Sequence, residues 1–122
     1  MKRYNVMATT LALGIDGKWI DNAITQFNVA GVQRFRRGRD RSLTAGSVLQ
    51  LAIAHRLWVA LGVPVGRALA VAPILIHDGE LVLDDVRLSI DVQTIRVRLE
   101  HRLADAAEHV VAPRRGRPPL RQ

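Results

Sequence analysis

The chain of 122 residues contains no cysteine, which excludes a disulfide framework and any thiolate-bound metal centre and suits a reducing cytoplasm. It also lacks a long unbroken apolar run. The longest such region, Val48 to Val65, is interrupted by Gln50, His55 and Arg56, so it falls short of the span a bilayer crossing requires, and no membrane attachment is expected. Near the start, the apolar stretch before Asp16 is broken by Thr9, Thr10 and Gly14, a poor match to a secretory leader. No glycine-rich phosphate loop follows a strand, and no Ser-His-Asp or paired-carboxylate arrangement stands out. The expectation is a protein that is not an enzyme and that carries no cofactor.

Acidic residues are scarce as well: 11 against 18 lysines and arginines, a net charge of +7. Such an excess points to a polyanionic partner without naming it. Its placement says more. Arg34, Arg36, Arg37, Arg39 and Arg41 stand together with Asp40 alone against them, and Arg114, Arg115, Arg117 and Arg121 form a second cluster. Residues 76–95 run the other way, with Asp78, Glu80, Asp84, Asp85 and Asp91 facing only Arg87. A chain of this length holds one modest core.

Apolar periodicity predicts a short helix over Val6–Leu13, with Ala8, Leu11 and Ala12 on one face and Gly14 as its stop. Asp16 can cap a second helix in which Trp19, Ile20, Ala23, Ile24 and Phe27 make one stripe, leaving Lys18, Asn22, Thr25 and Gln26 on the opposite face. Two short helices joined by a glycine-containing turn are the ingredients of a helix-turn-helix. Residues 28–43 lack helical period and carry the first arginine cluster, with Val32 and Phe35 as anchors, in the position of a wing. Thr44 can cap a third helix, Ala45 to Leu61, apolar nearly all round and ended by Gly62, with Trp58 expected in the core. Pro64 suits the opening of a fourth helix, in which Val65, Ala68, Leu69 and Ala72 share a face, and Pro73 is expected to end it.

From Tyr4 to about Ala72 this layout resembles the DNA-binding domain of MerR-type winged helix-turn-helix regulators. The resemblance rests on a first helix ending at Leu13-Gly14-Ile15, a second helix, an arginine-bearing wing and a helix ending at Leu61-Gly62-Val63. Arg41-Ser42-Leu43-Thr44 stands where that family has an arginine before a Tyr-Ser/Thr pair, with Leu43 in place of the tyrosine. The family's Thr-Leu-Arg-Tyr-Tyr is replaced by Lys18-Trp19-Ile20-Asp21-Asn22, so only the arrangement carries over and not individual base contacts.

Beyond Pro73 the period shortens. Ile74–His77 and Glu80–Leu83 flank Asp78-Gly79, which predicts a type I′ hairpin, and Val86, Leu88 and Ile90 alternate as a third strand. Asp91 can cap a final helix with Val92, Ile95, Leu99, Leu103, Ala106 and Val110 on one stripe and Arg96–Glu100 as a supporting pair, although Ile95, Val97 and Leu99 also alternate as a strand over 94–99 would. The stripe has two readings: a cover for the chain's own core, or a homodimer seam, as MerR-type proteins place a dimerising helix here. His101, Asp105 and His109 recur at helical spacing, but three groups over two turns are read as a solvated face, with no metal expected. Trp19 is read as a core residue.

The end of the chain, Pro113-Arg114-Arg115-Gly116-Arg117-Pro118-Pro119, resembles an AT-hook. Glycine permits close approach to the groove floor, the arginines enter the negative potential of a narrow minor groove, and proline keeps the chain extended. A plain basic tail is the other reading; either is expected to be disordered without DNA. The expected fold is α+β: a winged helix-turn-helix over 1–72, a β-meander and C-terminal helix over 73–111, and a basic tail over 112–122. The expected function is a nucleoid-associated transcriptional regulator that binds double-stranded DNA, A·T-rich at the hook, as a homodimer. A protein-binding adaptor or antitoxin and an architectural DNA protein are the alternatives.

Overall fold

A computed structural model describes residues 2–33 and 41–115, with side chains through residue 107. In chain order the elements are β1 (Arg3–Asn5), α1 (Val6–Leu13), α2 (Gly17–Gln26), β2 (Ser42–Thr44), α3 (Ala45–Leu61), α4 (Val65–Asp78), β3 (Glu80–Leu83), β4 (Val86–Ser89) and α5 (Val92–Arg115). The chain is mainly helical with two small antiparallel strand pairs, an α+β fold as expected.

Local chemistry sets most helix ends. Asn5 Oδ1 accepts from the Ala8 amide at 2.7 Å to open α1, and Asp16 accepts from the Lys18 amide at 3.1 Å to open α2. Thr44 Oγ1 accepts from the Ser47 amide at 3.1 Å to open α3, and Asp91 accepts from the Thr94 amide at 3.1 Å to open α5. Each bond satisfies a donor that the first helical turn leaves without a backbone partner. α3 is buried over most of its circumference through Val48, Leu49, Leu51, Ile53, Ala54 and Leu57, and α4 packs on it through Ala68, Leu69, Ala72 and Leu75. Together with Ile20, Ala23 and Ile24 of α2 these residues form the core.

Several expectations are corrected. Pro73 does not end α4, which continues to Asp78. A proline inside a helix lacks the N–H that would serve the carbonyl four residues back, here that of Leu69. The buried Gln50 of α3 supplies the missing donor: its Nε2 donates to the Leu69 carbonyl at 3.0 Å. Asp78-Gly79 is consequently a helix end, with Gly79 at φ 80 as the cap, and Ile74–His77 is no strand. The hairpin forms one step later, β3 pairing with β4 through Leu83–Val86 around Asp84-Asp85, so two strands stand where a three-stranded meander is predicted. Leu11 is 55% exposed, whereas Thr9 is buried, its hydroxyl donating to the Asn5 carbonyl at 2.9 Å. Residues 112–115, expected in the extended tail, belong to α5.

α5 is helical throughout 94–99, and its stripe lies on α1, with Leu99, Leu103 and Ala106 buried alongside Ala8 and Ala12. The described part of that stripe is therefore covered within the chain rather than presented to a second copy. The Arg96–Glu100 pair does not form; the ion pairs among the described residues include Arg87–Glu80 at 3.4 Å across the hairpin.

Candidate nucleic-acid interface

α2 buries Ile20, Ala23 and Ile24 and leaves Lys18, Asp21, Asn22, Thr25 and Gln26 exposed, the polar face its sequence predicts. After α2 the chain turns at Gly31 and reaches Gln33, which forms a β-bridge to Ser42: the Gln33 amide donates to the Ser42 carbonyl at 2.7 Å and the Ser42 amide to the Gln33 carbonyl at 2.9 Å. The chain that leaves at Gln33 thus returns beside it. Arg3 staples this closure, its guanidinium donating to the Gly31 carbonyl at 2.6 Å, the Ser42 carbonyl at 2.9 Å and the Ser42 hydroxyl. β1 pairs with β2 in the register Arg3–Thr44, Tyr4–Leu43 and Asn5–Ser42, with Leu43 fully buried beneath. From the helical side, the buried Ser47 hydroxyl donates to the Ala30 carbonyl at 2.6 Å.

Arg41 donates to the Asp21 carboxylate of α2 at 2.8 Å. That pair is partly exposed and contributes on the order of 1 kcal/mol at most. Its main effect is geometric, since it fixes one end of the arginine-rich segment to the polar face of α2 and neutralises the one carboxylate in the middle of that face. Arg34, Arg36, Arg37 and Arg39 lie outside the described residues, as do Gly116, Arg117 and Pro118. Arg114 and Arg115 are described in backbone only, at the end of α5.

Trp19 packs against the core as expected, whereas Trp58 departs from its expected place. Trp58 is 42% exposed rather than core. Trp19 is half-buried and set edge-on to His55 with ring centres 4.9 Å apart; it also lies 5.8 Å from Trp58. The Trp19 indole Nε1 is buried without an acceptor among the described residues. Burial, and then the nearby Arg56 guanidinium, hold His55 below its ordinary pKa, since both penalise the charged ring. On α5, His101 and Asp105 are exposed, the His109 side chain lies outside the described residues, and no group of three metal-ligating side chains occurs among the described residues.

One basic cluster escaped the sequence reading. Arg56 of α3 and Arg98 and Arg102 of α5 line a common cleft with His55. The available signal was the four-residue spacing of Arg98 and Arg102, which places them on one helix face; nothing in the sequence joins them to Arg56. No helix among the described residues is long and apolar enough to cross a membrane. Comparison with known proteins gives no match to a family model, to a curated protein or to a solved structure.

Proposed function

We propose that the chain binds double-stranded DNA as a winged helix-turn-helix transcriptional regulator of MerR-like layout. The observation that carries this reading is the closure at Gln33–Ser42 together with the Arg41–Asp21 pair. The first holds the two ends of the arginine-rich segment side by side, and the second ties its Arg41 end to Asp21 on the exposed face of α2. Lys18, Asn22, Thr25 and Gln26 would then enter the major groove from α2, and Arg34, Arg36, Arg37 and Arg39 would neutralise flanking phosphates. Arg41, already engaged by Asp21, acts as a positioning residue. At the far end, Arg115 and Arg117 with Gly116 and Pro118 serve an adjacent A·T-rich minor groove, and Arg115, the last residue of α5, leaves the helix to do so. A homodimer on a two-fold site would use a surface other than the α5 stripe packed on α1.

Fluorescence anisotropy with a labelled duplex across a salt series tests the proposal. Neutralising six to eight phosphates gives a log–log slope of about −5 to −7. Replacing Arg34, Arg36, Arg37 and Arg39 by glutamine should make it shallower by roughly 3 to 4, at about 0.9 per lost phosphate contact. A slope near zero for the unaltered chain overturns the reading. Competition between A·T-rich and G·C-rich duplexes, repeated on a chain ending at Ala112, isolates the hook. The protein-adaptor reading rests on the exposed apolar tip of the hairpin, Val82, Leu83 and Val86, and predicts capture of a protein partner that nuclease treatment leaves intact.

A further inference from the structure

A cleft of about 440 Å³ opens where the turn between α1 and α2, the middle of α3 and the first half of α5 meet. That volume lies within the range of small-molecule sites, roughly 300 to 1,000 Å³. Its wall has two chemistries: Ile15, Ala52 and Leu99 give an apolar surface, while Arg56, Arg98 and Arg102 add three basic side chains to the lining. No acidic residue among the described residues lines the cleft, Asp105 lying with Arg102 in the neighbouring depression, and none of these arginines forms an ion pair with a described residue. Three like charges on one exposed wall repel one another. An arrangement of this kind gains most from an anion that also covers the apolar wall. His55, held toward its neutral form, adds a hydrogen-bonding ring at the cleft without adding charge.

We propose that this cleft binds a small amphipathic organic anion. Its acidic group sits among Arg56, Arg98 and Arg102, where paired N–H donors suit a carboxylate, sulfonate or phosphate, and its apolar body lies on Ile15, Ala52 and Leu99. The site is distinct from the exposed polar face of α2 proposed to read DNA. It meets α2 through the Leu13-Gly14-Ile15 turn and through His55, whose ring packs on Trp19 of that helix, so an occupant would tie α5 to that turn.

The test uses 1-anilinonaphthalene-8-sulfonate, an aromatic body with one sulfonate, titrated against the full chain. Trp19 and Trp58 both pack on His55, with ring centres 4.9 and 5.7 Å from it, so occupancy should quench their emission as the probe brightens, saturably and at one probe per chain. Arg98→Gln with Arg102→Gln should weaken binding about a hundredfold, at roughly tenfold for each charged hydrogen bond lost. Arg96→Gln, on the same helix but outside the cleft, should leave binding within about twofold. N-phenyl-1-naphthylamine, which lacks the sulfonate, should bind the unaltered and doubly substituted chains alike. Circular dichroism confirms that the exposed substitutions leave the fold intact. Unsaturable binding, equal affinity in the double variant, or equal loss in Arg96→Gln overturns the proposal. So does displacement of the probe by duplex DNA whose own affinity falls in the double variant, since the arginines would then belong to the nucleic-acid surface.

Discussion

Gln50 and Pro73 should behave as one unit, and a double-mutant cycle measures that coupling. Proline at position 73 leaves the Leu69 carbonyl without its helical donor, and Gln50 Nε2 occupies it at 3.0 Å in a buried setting. Gln50→Leu keeps the volume and removes the donor, so a buried carbonyl loses its partner at a cost of about 1–3 kcal/mol. Pro73→Ala restores a backbone N–H aimed at the same carbonyl. In that background Gln50→Leu orphans nothing, and its cost should fall below about 1 kcal/mol, giving a coupling of roughly 1–2 kcal/mol. Pro73→Ala alone should be stabilising, because proline is about 3 kcal/mol worse than alanine inside an unassisted helix. Urea denaturation of the four proteins, with equal m-values as the check that the unfolded states are comparable, gives each term. Additivity within about 0.5 kcal/mol would refute the claim that the glutamine substitutes for the missing amide.

Three further outcomes test other parts of the fold. At Gly31, φ is +86 and an added Cβ would lie 2.5 Å from the hydroxyls of both Ser47 and Thr44, whereas Gly62, at φ +71, has open space. Gly62→Ala should therefore cost about 1–2 kcal/mol for the backbone alone, and Gly31→Ala at least about 1 kcal/mol more as the Thr44 cap and the Ser47–Ala30 bond are displaced; equal costs in urea titrations would contradict the packing described at the wing base. The depressed pKa of His55 means that below its ordinary value of 6.5 the unfolded chain takes up a proton the folded chain resists. Its contribution is present above 6.5 and is lost as pH falls through the folded value, so the unfolding free energy of the unaltered chain should drop more than that of His55→Gln between about pH 7.5 and pH 5; parallel pH profiles would remove His55 from the account. Leu103 is 1% exposed where α5 lies on α1, and Leu103→Ala should cost about 2–5 kcal/mol in thermal or urea unfolding at any protein concentration, whereas a loss that depends on concentration would mean the stripe joins two chains.

Features governed by neighbouring residues were legible in the sequence. The Asp16, Thr44 and Asp91 caps, the stops at Gly14 and Gly62 and the full extent of α3 follow from rules that operate within one helical turn. The β1–β2 pair was not legible, because strands of three residues carry almost no periodic signal and Arg3 and Thr44 meet only through the tertiary fold. Gly79 shows the boundary between the two cases. A positive φ is what both a type I′ turn and a helix cap demand, so the conformer follows from the residue type while the element does not. What decided between them was a glutamine on another helix. The candidate interface divides in the same way: the polar face of α2 follows from helical period, but its junction with the arginine segment depends on Gln33–Ser42 and Arg41–Asp21, both long-range contacts.

The polar residues that keep Val48–Val65 from resembling a membrane span turn out to have separate tasks. Gln50 is buried and spends its amide on the Leu69 carbonyl, which lets α4 run through Pro73 and carry the hairpin to its observed place. One and a half turns later, His55 leaves the core and meets Trp19 of α2, so the helix bearing the candidate DNA-reading face is braced against α3 by an aromatic contact rather than by aliphatic packing alone. Arg56 points to the neighbouring side, where it joins Arg98 and Arg102 across the cleft. A polar residue inside an apolar helix costs free energy unless a partner meets it. Gln50 has such a partner in the chain and His55 is sheltered by two rings, whereas Arg56 shares its cleft with two more cations. That asymmetry is why Gln50 is best tested by stability, His55 by pH and Arg56 by an added anion.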